Sequence, residues 1–179
     1  MNHRLPQLFN DSRHERFIML TIKKVNELFE YLPNGELKRK ITTSPKSKKG
    51  QIVGNGDLRR YKYFSIDKIK YYNHRIVWFI HYGYMPKQID HINGNRLDNR
   101  IENLRECNQS QNNWNQGIKI TNKSGYKGVS WYSREKRWVA KLNIYGKTKI
   151  IGYFKNVEDA ANEIKKFRQE FHKEFARNA

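Results

Sequence analysis

Between residues 89 and 112 the chain gathers one carboxylate, one imidazole and a run of amides. The order is Ile89-Asp90-His91-Ile92-Asn93-Gly94-Asn95, then Asp98-Asn99-Arg100-Ile101-Glu102-Asn103-Leu104-Arg105, and then Asn112. Phosphodiester hydrolysis calls for a base that takes a proton from water and for hard oxygens that hold a divalent ion. Magnesium usually takes one or two protein oxygens and leaves its other positions to water and phosphate. Asp90 and the amide oxygen of Asn112 can supply them, and His91, which titrates near neutral pH, can serve as general base. Adjacent residues on a regular strand point to opposite faces, so a twisted or kinked backbone must reconcile Asp90 with His91. Alone, Asn93-Gly94-Asn95 and Asp98-Asn99 read as loop residues that tolerate left-handed backbone; joined to Asp90, His91 and Asn112 they read as part of a site. His74 and His81 read as packed histidines and Cys107 as a small buried residue. Arg75, Arg100 and Arg105 fit ion pairs or phosphate contacts, with fold support the better reading for Arg100 and Arg105.

The elements around this segment follow from pattern. Residues 74–81 predict a short helix with His74, Val77, Trp78 and His81 on one stripe, stopped before Gly83 and Pro86. A second helix starts after Asn108, which can cap it with Gln111 at the third helical position. Upstream, Phe29, Tyr31 and Leu37 flank the turn Pro33-Asn34-Gly35 between two short strands. Residues 38–49 are an exposed basic loop, Gly54-Asn55-Gly56 is a turn, and Tyr61, Tyr63 and Phe64 predict a strand among basic neighbours. Downstream, residues 126–132, 138–145 and 148–154 predict three strands, with Trp138, Ala140, Leu142 and Ile144 on the buried face of the second. Asn156 then precedes the helical stripe Val157, Ala160, Ala161, Ile164, Phe167 and Phe171, placed to cap it. The fold class expected is α+β. The division expected is an arm at 1–20, a strand-rich basic region at 21–73, a catalytic module at 74–118, a linker at 119–123 and a sheet-and-helix domain at 124–179.

Composition names the partner. The 179 residues carry 36 Lys and Arg against 17 Asp and Glu, a net charge of +19, which points to nucleic acid. Residues 122–155 hold nine basic residues against Glu135 alone, whereas the helix that follows is neutral, so the sheet is the face expected to meet phosphates. No apolar run is long enough to span a membrane, and Asn10, Asp11, Ser12 and His14 interrupt any secretory core. The lone Cys107 excludes an internal disulfide and a multi-cysteine zinc site, and fits a reducing, intracellular setting.

Residues 74–115 resemble the HNH endonuclease motif of phage and homing nucleases, through His74-Arg75, Pro86, Asp90-His91-Ile92-Asn93-Gly94-Asn95, Asp98-Asn99-Arg100, Glu102-Asn103-Leu104-Arg105 and Gln111-Asn112. That resemblance implies a ββα-metal fold holding one divalent ion, Mg2+ or Mn2+. It implies Asp90 and Asn112 as ligands, His91 as general base and Asn103 as the loop residue that orients the histidine. The family often has histidine at the last ligand position; Asn113 and Asn115 are further candidates for it here, and no structural zinc is implied.

Residues 124–176 resemble the plant ethylene-response (Apetala-type) DNA-binding domain, through Ser124-Gly125-Tyr126-Lys127-Gly128-Val129, Trp138-Val139-Ala140-Lys141-Leu142, Gly152-Tyr153-Phe154 and Ala160-Ala161. That domain lays a three-stranded sheet in the DNA major groove, which implies contact through Lys127, Ser130, Tyr132, Arg134, Lys141, Asn143 and Thr148. Several of these are arginine in the plant domains, so the plant target sequence does not transfer. Residues 24–72 resemble the region that often precedes this HNH type, through Leu28-Phe29-Glu30-Tyr31 and Gly35-Glu36-Leu37; DNA contact is assigned there to Lys38, Arg39, Lys40, Arg59 and Arg60. The expectation is a metal-dependent endonuclease of phage or homing type. It would act as a monomer on double-stranded DNA in the cytoplasm of a bacterial host, with no membrane partner. A DNA-binding regulator and an RNA-binding protein are the alternatives.

Overall fold

The computed structural model describes residues 20–54 and 61–178. The expected arm up to residue 19, the Asn55-Gly56 part of the second turn, and Arg59 and Arg60 lie outside the described residues. Among the described residues four small antiparallel sheets and four α-helices make up an α+β architecture. In chain order they are α1 (Ile22–Leu28), β1 (Phe29–Tyr31), β2 (Leu37–Arg39), β3 (Tyr63–Ile66), β4 (Ile69–Tyr72), α2 (Asn73–Tyr82), β5 (Ile89–His91), β6 (Leu104–Glu106), α3 (Gln109–Trp114), β7 (Val129–Tyr132), β8 (Arg137–Ile144), β9 (Lys147–Phe154) and α4 (Val157–His172). Among the described residues no helix is long and apolar enough to cross a membrane.

The helices that position the site form for local reasons. Helix α2 buries His74, Val77 and Trp78 as its stripe requires, but His81 at the end of that stripe is exposed and donates from Nδ1 to the Val77 carbonyl at 2.8 Å. Helix α2 stops at Gly83, whose left-handed backbone sends its N–H back to the Phe79 carbonyl. Helix α3 opens on a complete capping box: the Asn108 side chain accepts from the Gln111 N–H, and the Gln111 side chain accepts from the Asn108 N–H. Asn156 sits at the start of α4 but makes no side-chain cap; its amide reaches Asp159 instead.

One continuous core joins the residues before and after position 73. Val25, Leu28, Phe29, Leu37, Val53, Phe64 and Tyr71 pack with Ile76, Val77, Trp78, Ile89 and Leu104, so the strand-rich region is the support on which the β5–β6 hairpin sits. Helix α1 at its edge was not anticipated. At the β1–β2 turn Gly35 has φ +85°, and a Cβ there would overlap the Arg100 backbone nitrogen and the Asn99 carbonyl carbon. Gly35→Ala should therefore cost about 2–4 kcal/mol, the sum of left-handed strain and overpacking. Urea denaturation would measure it, and a loss below about 1 kcal/mol would mean that the turn yields easily.

The C-terminal unit is a β7–β8–β9 sheet with α4 across one face. Val129, Ala140, Leu142, Ala160 and Ile164 form its centre, with Trp138 partly buried beside them as its place on the alternation required. Register places Ser130, Tyr132, Lys141, Asn143 and Thr148 on the sheet face away from α4, with a shift between Ala140 and Lys141. Trp131, half exposed, crosses Trp138 edge-on at 5.1 Å.

This unit docks onto the hairpin and α3. Trp114 stacks on His172 with ring centroids 4.1 Å apart, and Cys107, Trp114 and Phe175 form a small buried cluster. Lys127 donates to the Trp114 and Gln116 carbonyls at the end of α3. Its expected place on the outward face is thus corrected: the ammonium satisfies helix-terminal carbonyls, and burial lowers its pKa to about 8.

Candidate active site

The β5–β6 hairpin and α3 form a ββα arrangement around Asp90 and His91. Strand β5 is three residues long and buried throughout, pairing Asp90 with Arg105 and His91 with Leu104 on β6. It ends at His91, where a turn begins with the Gly94 N–H donating to the His91 carbonyl at 2.8 Å. The two side chains face different partners, yet both line one cleft of about 360 Å³ at the strand's end. Strand termination, rather than a kink, reconciles them.

Asp90 is held on both oxygens. Arg105 donates to Oδ2 from Nε at 2.9 Å and Nη2 at 2.8 Å, and the Asn115 amide donates to Oδ1 at 3.0 Å. Arg105 supports the fold as expected, but does so at the centre of the site. Asn115 also donates to the His91 carbonyl at 2.8 Å, which ties the C-terminal end of α3 to β5.

His91 is oriented by Asn99. Its Nε2 lies 3.0 Å from the Asn99 Oδ1; an amide oxygen only accepts, so Nε2 carries the proton and Nδ1 is the basic nitrogen. Asn99 is fully buried; the motif places it in the site but names no role for it. Asn103, assigned to orient the histidine, does not touch the ring. It accepts from the Asn93 N–H at 3.0 Å and donates to the Asp98 carbonyl at 2.7 Å, fixing the loop that carries Asn99. Asp98 closes this loop through two bonds to Arg100, which with the Asn93 amide hold its carboxyl down to about 2. Burial pushes the His91 pKa below its ordinary value against the raising effects of Asn99, Asp90 and Asp98.

Asn112 lines the cleft from α3. Tyr61 forms another part of the wall, its ring 5.7 Å from His91 and 4.8 Å from His74, and Arg96 lies 5.1 Å above the Tyr61 ring. Arg177, from the far end of the chain, completes it. Sequence reading places Tyr61 in a surface strand of a DNA-contacting basic cluster, whereas the strand starts at Tyr63, and it gives Arg96 and Arg177 no role. The phenolic ring is legible as an aromatic near the motif, but the two arginines are indistinguishable in sequence from the other basic residues.

A divalent ion fits the donor set. Asp90 Oδ1 spends one lone pair on Asn115 and keeps capacity for a cation, and Asn112 adds an amide oxygen on the same wall. Hard oxygens in so small a number suit an ion that keeps most of its water, such as Mg2+. Among the described residues no group of three His, Cys, Asp or Glu side chains could hold a metal, which leaves water and phosphate to complete any coordination.

His74 packs edge-on to His91 at 5.3 Å and stays buried. Burial, then the neighbouring His91 and Arg75, lower its pKa from 6.5 to about 3. The unfolded chain therefore binds a proton between those values that the native state refuses. The stability this confers is complete above pH 6.5 and is lost as pH falls toward 3, and His172, also lowered by burial, adds in the same direction. Urea midpoints should decline across that window; a flat profile would contradict burial of neutral imidazoles.

The expected DNA-contact residues are distributed over the surface. Lys38 lies 3.7 Å from Glu30, Arg39 lies over the Phe29 ring, and Lys40 donates to the Asn26 carbonyl at 2.8 Å, so these three also serve the β1–β2 hairpin. Ser130, Arg134, Lys141, Asn143 and Thr148 are exposed and Tyr132 is half-buried against Tyr153. Asn143 also accepts from the Gly146 N–H across the β8–β9 turn.

Residues 71–114 match the family model described as HNH endonuclease. The C-terminal unit lies outside that match. No solved structure matches the chain. Protein 3.8 of Escherichia phage T7 is 34% identical over 106 residues, which cover 58% of this chain and 87% of that protein. The chain thus belongs to the family of phage T7 Protein 3.8, with an HNH endonuclease segment at residues 71–114.

Proposed function

We propose that the protein is a divalent-metal-dependent DNA endonuclease that hydrolyses phosphodiester bonds. The observation that carries this reading is the joint placement of Asp90, His91 and Asn112 on one polar cleft, with the His91 ring held by Asn99 so that Nδ1 is its basic atom. In this reading Nδ1 of His91 takes the proton of the attacking water. Asp90 and Asn112 would hold a divalent ion, which would supply charge stabilisation at the phosphate and the departing 3′ oxygen. Asn99 keeps the ring in one tautomer and one orientation, Asn103 and Asp98 keep Asn99 in place, and Asn115 anchors the carbonyl of His91. The products would carry 5′-phosphate and 3′-hydroxyl ends.

The substrate is double-stranded DNA, engaged by the outer face of the β7–β9 sheet through Ser130, Tyr132, Lys141, Asn143 and Thr148, in the manner of an Apetala-type domain. Net charge of +19 supports a polyanionic partner. One such site per chain supports nicking by a monomer, and the likeness to a phage protein supports action in the cytoplasm of an infected bacterium.

The testing experiment is supercoiled plasmid incubated with the protein in Mg2+ and in EDTA. Conversion to open circle only with Mg2+ supports a nicking nuclease, and linear product in one step would instead support paired cuts. Tight binding without conversion, on plasmid and on phage or host genomic DNA alike, would favour a DNA-binding regulator. The Arg105 pairing that already satisfies Asp90 is the observation that suits that second reading.

A further inference from the structure

One lining residue of the cleft, Arg177, comes from the C-terminal unit. After α4 a single 3-10 turn, Lys173–Phe175, folds back over β6. Phe175 is buried against Cys107 and Trp114, and the Arg105 guanidinium lies 3.8 Å above its ring. Arg105 also donates to the Glu174 carbonyl, so the residue that holds Asp90 holds the tail as well. Two residues beyond Phe175, Arg177 enters the cleft beside Asp90, His91 and Asn112, with Nη1 3.5 Å from the Asn115 carbonyl.

The Arg177 guanidinium also lies against the His91 turn. Gly94 has φ +73°, and a Cβ there would overlap the Arg177 guanidinium. Among the described residues the lining holds one acid, Asp90, beside the basic Arg96 and Arg177. A polar cleft of that sign draws an anion, and a planar guanidinium matches two oxygens of a phosphate.

We propose that Arg177 is a phosphate-binding group of this cleft, contributed by the C-terminal unit to grip the phosphodiester that the hairpin presents to His91. The proposal rests on the hydrolytic reading for its catalytic consequence, but the binding of phosphate stands apart from it. A unit expected to read DNA would thereby also complete the reacting site.

Three measurements test it on the full chain. Single-turnover cleavage of supercoiled plasmid in Mg2+ by Arg177→Gln should be slower by about 10²-fold, the loss of one charge-stabilising donor, with Arg177→Lys partly restoring the rate. Affinity for duplex DNA in EDTA should change by less than about twofold, because many other phosphate contacts remain. In the unmutated protein, the Arg177 Nε–H resonance, identified by its absence in Arg177→Gln, should shift on titration with inorganic phosphate. Arg177→Gln cleaving at the unmutated rate while His91→Ala is inactive would overturn the proposal and leave the nuclease reading intact. Unmutated protein that never cuts, yet whose Arg177 resonance answers phosphate, would keep the phosphate site and sink the nuclease reading. No phosphate response would overturn the assignment of Arg177.

Discussion

His91→Ala should reduce metal-dependent cleavage by about 10²–10⁴-fold, the range that a positioned general base contributes. Its effect on DNA affinity should be negligible, since the ring is buried and makes its hydrogen bond inward to Asn99. The prediction is sharpened by Asn99→Ala, which leaves the imidazole present but frees the ring from its one polar partner. That variant should lose rate while retaining the response to pH of a histidine base. Plasmid cleavage under single-turnover conditions reads both. Equal rates for unmutated protein and His91→Ala would remove His91 from the mechanism.

Arg105→Ala should destabilise the fold by about 3–5 kcal/mol, because it leaves a buried carboxylate without its ionic partner. Only 7% of the Asp90 side chain and 15% of the Arg105 side chain are exposed, so water cannot replace the lost guanidinium cheaply. The same change removes the cation above Phe175 and the donor to Glu174, which should loosen the tail. Urea denaturation gives the magnitude. Pairing the change with Asp90→Asn, which removes the stranded charge, should recover much of it; no recovery would place the cost in tail packing and not in the ion pair.

Local signals made part of this molecule legible. Helix α3 announces itself because Asn108 and Gln111 stand three apart at its start, and the two capping bonds they make need nothing from the rest of the chain. Strand β8 is legible from the alternation of Ala140, Lys141, Leu142 and Asn143, whereas Val139, expected on the open face, is buried. Helix α1 escaped because Ile22–Leu28 buries only Val25 and Leu28, too few positions to display a helical period. Its one local signal is Thr21, whose side chain accepts from the Lys24 N–H.

The site divides in the same way. Asp90, His91 and Asn112 stand out by residue type and by likeness to a known motif. Which asparagine does what is decided by tertiary placement: Asn99, not Asn103, reaches the histidine ring, and Asn115 reaches Asp90 across a separation of 25 residues. Lys127 looks like any other surface lysine until the end of α3 is set against it. No spacing rule connects Arg177 to Gly94, so that contact is visible only in the folded chain.

The tail that packs Phe175 against Trp114 sets an order in time. A chain emerging from the ribosome exposes the hairpin and α3 well before the segment that closes their cleft, since Arg177 follows Asn115 by 62 residues. A polypeptide that has reached only α3 lacks the Arg177 side of the cleft. The cleft lining is complete only when synthesis has passed the sheet and α4.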